Sequence, residues 1–261
     1  MSTLGAGMSL AMLADFAVRL AWGMAAMLLV VPWRIVPPAF FRTHCQVILC
    51  LLVLAVLAQE RWGGGPLSYA LGVGAALSAL AMIGWGLGLV RLALPLTAAV
   101  VASTLGAMAW ASWGESSFAF SSLVLTARLS SALLLGSTLT AMLLGHHYLT
   151  APSMTIDPLF RQVQIMAWAL GVRTVLAALG LAILMMGGPD QTEGGRGMVL
   201  FLGMRWGMGI AGPALATYLA WRTVQIRSTQ SATGILYIGM TLVLFGELTA
   251  MVLARDLNGV F

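Results

Sequence analysis

The run Gly84-Trp-Gly-Leu-Gly-Leu-Val-Arg91-Leu-Ala-Leu-Pro95 decides how many times this chain crosses a membrane. It sits inside the stretch Pro66–Trp113, whose single charged residue is Arg91. A membrane-spanning helix needs about 20 apolar residues, so the stretch is long enough for two. Arg91, with Pro95 close behind, is the break between them. If the break holds, the chain has eight spans. If it fails, spans three and four merge, the count is seven, and the topology inverts halfway along.

Working outward from this point, the spans lie at about 10–32, 43–59, 66–90, 92–113, 121–145, 163–187, 197–221 and 232–254. Pro32, Pro37 and Pro38 separate the first pair, and Gly63, Gly64, Gly65 and Pro66 the second, as residues that end regular structure. Gly187, Gly188 and Pro189 open the longest acidic loop. Eight such spans in 261 residues leave no room for a folded extramembrane domain. The expected fold is therefore all-α: one polytopic membrane domain over residues 1–261, with no soluble domain.

Composition agrees. Hydrophobic residues make up 60% of the chain and charged residues 8%, against roughly 45–50% and about 25% in soluble domains. That excludes a soluble enzyme, and it excludes disorder, which needs the opposite balance. The net charge of +5 is carried entirely by arginine, with no lysine anywhere. The arginines are spread one or two per loop, which speaks for loops facing anionic lipid and against nucleic acid.

Arginine bias also sets orientation. One side holds Arg34, Arg42, Arg91, Arg161, Arg222 and Arg227 against one acid, Asp157. The other holds Arg61, Arg196 and Arg255 with Glu60, Glu115, Asp190, Glu193 and Asp256. The first side is expected in the cytoplasm of a bacterium, with the chain multi-pass in the inner membrane and both termini periplasmic. Trp33, Trp62, Trp113 and Trp221 fall at span ends, where amphipathic aromatics anchor. The first apolar run lacks a basic leader and carries Asp15 and Arg19, so it reads as a mature helix rather than a cleaved signal.

Six ionisable residues fall inside spans: Asp15, Arg19, Arg128, Arg173, Arg205 and Glu247. Each costs about 2.5–3.5 kcal/mol in hydrocarbon unless it is partnered. At about 1.5 Å per residue, all but Arg173 share the outer half of the bilayer, and Arg173 lies near the middle. Asp15 and Arg19 are one turn apart and form an expected pair. Glu247 is the expected partner of Arg128 or Arg205, which leaves one arginine and Arg173 without an acid. An arginine so placed invites a carbonyl or an anion. The alternative is a network of ion pairs that only fixes helix register.

His44, His146 and His147 all fall at the cytoplasmic interface. A quinone site there would use a histidine on a carbonyl, with Asp157 or Tyr148 relaying a proton. One b-type haem would use His44 with His146 or His147, with Arg42 or Arg161 near a propionate. The simpler reading is three histidines at helix ends. No metal is expected, since zinc would want cysteines or carboxylates at tight spacing. Asp157-Pro158 reads as the start of span six, with Asp157 as N-cap, and Ser231 as the cap of span eight. Cys45 and Cys50 point to different helix faces and read as buried fillers, not a disulfide. Gly72 with Ala76, and Gly74 with Ser78, read as close helix packing.

The closing span contains Leu242-Val-Leu-Phe-Gly246-Glu247-Leu-Thr-Ala-Met. These ten residues resemble the last helix of membrane anchor subunits in the polysulfide-reductase and dimethyl-sulfoxide-reductase families. The resemblance implies an eight-to-ten-helix anchor that exchanges electrons with a quinone pool on behalf of an iron–sulfur partner. It also implies that Glu247 faces the bundle. The expected function is a quinone-interacting, or singly haem-bearing, membrane subunit of an electron-transfer complex, without catalytic residues of its own. A small-molecule or ion transporter and a non-catalytic scaffold are the alternatives. No Gly-x-Ser-x-Gly or His-Glu-x-x-His motif marks a hydrolase.

Overall fold

The computed structural model describes residues 2–60, 65–113, 118–151, 154–186 and 195–256. Arg61, Trp62, Gly63, Gly64, Glu115, Gly187, Gly188, Pro189, Asp190 and Glu193, which entered the reading above, lie outside the described residues, as do the side chains of Glu60, Arg196 and Asp256. The described elements are helical: α1 (Ser2–Val30), α2 (Pro38–Glu60), α3 (Pro66–Gly86), α4 (Val90–Ser112), α5 (Phe118–Thr150), α6 (Asp157–Met186), α7 (Gly195–Trp206), a π-helical segment (Gly207–Ala211), α8 (Gly212–Gln225) and α9 (Thr229–Asp256). Among the described residues eight stretches are long and apolar enough to cross a membrane, and α7, the π segment and α8 together make the seventh. The protein is an all-α polytopic membrane protein.

Spans three and four are separate, but the break is not at Arg91. It is the turn Leu87–Leu89, where Gly88 adopts φ +72° and the Leu89 N–H reaches back to the Gly84 carbonyl at 2.8 Å. Arg91 lies in the first turn of α4, and Pro95 is accommodated within that helix. A left-handed residue reverses the chain there, and glycine adopts that conformation without a Cβ clash. Gly88→Val is therefore expected to destabilise the hairpin by about 1–2 kcal/mol, read as a lower unfolding temperature in detergent.

Several helices begin before their apolar windows do. Pro38 is the first residue of α2, a position where its missing N–H is harmless. The helix α6 starts at Asp157, but the cap is one residue earlier than expected, because the Ile156 carbonyl accepts from Phe160 N–H at 3.1 Å. Likewise Ser228, not Ser231, opens α9: its carbonyl accepts from Ala232 N–H at 3.0 Å, and its hydroxyl bonds that of Ser231 at 3.0 Å. Polar residues at span ends, such as Arg42 and Arg161, extend the helices past the hydrocarbon-like core of each sequence window.

The chain forms two compact units, Met1–Gly136 and Ser137–Phe261, whose boundary falls within α5. In the first, α1 packs on α2 and α4, α2 on α3, and α3 on α4. Phe41 of α2 stacks on Trp85 of α3 with centroids 4.3 Å apart, and Trp85 Nε1 donates to Thr97 of α4 at 3.3 Å. Ser78 donates to the Cys45 carbonyl at 2.8 Å. Gly74 is packed against Leu52 and Ser103, whereas a Cβ on Gly72 would meet open space, so only the Gly74–Ser78 half of the expected motif packs. Cys45 is buried but Cys50 is exposed, which corrects the reading of both as buried fillers. Gly23 of α1 and Gly136 of α5 touch backbone to backbone, the close approach that small residues allow.

In the second unit, α9 packs on α7, the π segment and α8, and α6 packs on α8. Gly145 of α5 lies against Thr233 of α9, and Gln162 of α6 donates to the Ser137 carbonyl at 3.4 Å.

A buried arginine–glutamate–arginine triad

The centre of the second unit is charged. Arg173 on α6, Arg205 at the end of α7 and Glu247 on α9 are 0%, 1% and 0% exposed. Arg173 meets Glu247 side-on: Nε donates to Oε1 at 2.9 Å and to Oε2 at 3.1 Å, and Nη2 donates to Oε2 at 2.8 Å. Arg205 Nη1 donates to Oε1 at 3.0 Å and, more weakly, to the Gly246 carbonyl at 3.4 Å. The forked pairing matches guanidinium to carboxylate geometry. Two cations share one anion, so the three groups sum to +1.

Local sequence explains how these helices come close enough. Pro213 lacks the N–H that would bond the Gly209 carbonyl, and its ring would crowd that carbonyl. The backbone widens instead: the Gly212 N–H bonds to the Gly207 carbonyl, five residues back, which is the π-helical pattern. Gly209 then faces Gly246 of α9 with the two backbones in contact, leaving no room for a Cβ on either. A Cβ on Gly209 would also stand 2.9 Å from Arg205 Nη1. The two glycines thus bring Glu247, next in sequence to Gly246, up to Arg205.

This arrangement corrects the expected pairing. Arg173 is not the arginine left without an acid; it makes the most extensive contact with Glu247. Arg128 belongs to the first unit, where its Nε lies 3.7 Å from Asp15 Oδ1. The expected Asp15–Arg19 pair is present, at 2.5 Å. Within the triad, Arg205 Nε and Nη2 meet no acceptor among the described residues. Buried polar groups are nearly always satisfied, so this pair of N–H groups is the feature of the site that asks for a ligand.

The histidine positions do not assemble in one unit. His44 belongs to the first, buried under the Phe40 ring at 4.0 Å between centroids, with Nδ1 donating to the Phe40 carbonyl at 2.8 Å. His146 and His147 belong to the second, His146 exposed and His147 half-buried. Arg42 and Arg161 are exposed, and so is Asp157. The Tyr148 hydroxyl donates to the Thr155 carbonyl, which ties the end of α5 to the loop after it. Among the described residues no three His, Cys, Asp or Glu side chains gather as a metal site.

Sequence reading did not single out Gly209, Pro213 or the π segment. The signal was there: Gly207-Met-Gly209-Ile-Ala-Gly212-Pro213 places three glycines and a proline inside an apolar span. Compared with family models, curated proteins and solved structures, the chain matches none. The fold and the triad define the class, a polytopic helical membrane protein with a buried cationic centre.

Proposed function

We propose that the chain is a quinone-reactive membrane subunit of an electron-transfer complex, with the ligand carbonyl held by Arg205. The observation that carries this is the buried N–H pair of Arg205 in a triad of net charge +1. A neutral, lipid-soluble dicarbonyl reaches such a site from the bilayer without bringing charge through hydrocarbon. Arg205 then donates Nε–H and Nη2–H to one carbonyl oxygen. The fixed positive charge stabilises the negative charge that oxygen gains on reduction. Glu247 holds both guanidinium planes and so fixes the donor geometry. The π segment, which ends two residues before Pro213 and is rich in glycine, is where α7–α8 gives way to admit a ring. A chain with so little extramembrane sequence takes its electrons from a partner subunit. A b-type haem would draw on His44, whose Nδ1–H is already oriented by a backbone carbonyl, the usual support for a ligating imidazole. The arginine bias supports the bacterial cytoplasmic membrane, with both termini periplasmic.

The test is an oxidised-minus-reduced spectrum and a quinone extraction of the native complex, with its subunits identified. Quinone is expected to co-purify, and Arg205→Gln to weaken its binding by about 10- to 100-fold, the worth of charge-assisted hydrogen bonds. No quinone, no haem band and no redox partner would overturn the reading. The second reading, transport of an organic anion, is favoured by the same π segment, because interrupted helices beside buried charge mark transporter sites. Uptake into proteoliposomes that is lost in Arg173→Gln would establish it.

A further inference from the structure

We infer that the first unit carries a separate oxyanion site for a phosphate group, formed by Arg19 and Arg128 at the level of the membrane boundary. Arg19 Nη2 bonds Asp15 Oδ2 at 2.5 Å, and Arg19 Nη1 lies 3.5 Å from the Ser131 hydroxyl. Arg128 reaches the same carboxylate at 3.7 Å and donates through Nη1 to Ser112 Oγ at 2.9 Å. As in the second unit, two guanidiniums share one carboxylate, for a net +1. Unlike that triad, this one is open: the side chains of Arg19, Asp15 and Arg128 are 11%, 26% and 20% exposed.

Ser112 sets the level. It is the last residue of α4, and Trp113 follows it, 59% exposed and edge-on to Phe118 at 5.6 Å, where α5 begins. Exposed aromatics at helix ends mark the headgroup region. Helical side chains lean toward the N-terminus, so Arg128 points back along α5 toward that end, snorkelling from about two turns inside the span. The ligand is therefore met among headgroups rather than in hydrocarbon, which selects a hydrated oxyanion over a neutral ring. A phosphodiester carries one negative charge and matches the net +1, and guanidiniums bind it in forked pairs. Arg19 Nε, buried and without an acceptor among the described residues, is one available donor. The phosphate group is supplied by an anionic phospholipid headgroup or by free phosphate.

The experiment is native mass spectrometry of the whole detergent-solubilised chain with phosphatidylglycerol, phosphatidylcholine and inorganic phosphate as separate probes. Phosphatidylglycerol is expected to bind one per chain and to outlast phosphatidylcholine. Arg128→Gln and Arg19→Gln are each expected to weaken it by about tenfold, the effect of losing a charge-assisted hydrogen bond, while Arg34→Gln leaves it unchanged. Asp15→Asn is expected to tighten it, because the substitution removes the competing carboxylate. That sign separates a ligand site from an ion pair that merely holds α1 to α5, and it keeps the test decisive if an arginine variant fails to fold. Protection by inorganic phosphate alone, lost in Arg128→Gln, identifies the free ion as the source; retention of lipid only identifies the headgroup. Equal binding of both lipids, or weakening by Asp15→Asn, overturns the site.

Discussion

Glu247→Gln is expected to destabilise the protein by about 3–5 kcal/mol, the usual consequence of removing one member of a buried ion pair. Glutamine keeps the shape and one acceptor oxygen, so the loss is charge. Two guanidiniums at 0% and 1% exposure would then face each other with no carboxylate between them. Both are too deeply buried for water to take the place of the carboxylate. The measurement is thermal unfolding in detergent, with Glu247→Asp as the conservative control. Adding Arg205→Gln to Glu247→Gln is expected to recover part of the loss, since it removes one of the two unpaired cations. A Glu247→Gln protein that unfolds at the wild-type temperature would show that the triad does not hold α6, α7 and α9 together.

Gly246→Val is the second large effect. A Cβ at Gly246 would fall on the Gly209 backbone, so the clash is with main chain and cannot be relieved by a rotamer change. Overpacking against movable side chains costs about 1–3 kcal/mol, and a backbone contact sits at or above the top of that range. The displaced α9 would carry Glu247 away from Arg205, so the quinone binding proposed for the triad is expected to fall together with stability. Gly234→Val is the matched control: the same substitution in the same helix, α9, meets nothing within 4 Å. An equal loss in both variants would mean that helix propensity, not the Gly209–Gly246 contact, is responsible.

The sequence made some of the charged centre legible. Asp15 and Arg19 pair because four residues is one helical turn, a relation fixed by helix geometry alone. Glu247 was readable as a partner for Arg205 because a single buried acid needs a cation. Arg173 was not readable. Depth along a helix says nothing about which face a residue occupies or which helix lies beside it. The hairpin break was misplaced, because a charge and a proline drew the reading to Arg91 and Pro95. The chain actually turns at Gly88, where only conformational freedom is needed. The Gly246-Glu247 pair, noticed for its resemblance to anchor subunits, has its own physical reason here: the glycine admits a neighbouring backbone and the glutamate follows it to the arginines.

By itself the sequence determined the solvent and the local pairs and narrowed the crossings to seven or eight, because hydrophobic composition and helical spacing act within one segment. Only the tertiary structure decided that residues 173, 205 and 247 form one centre and residues 15, 19 and 128 another. Those partners are far apart in the chain. What joins the first three is a backbone approach at Gly209 and Gly246, which depends on the shape of two helices together; the glycines and proline of the π segment mark an irregular helix but do not say which helix lies against it.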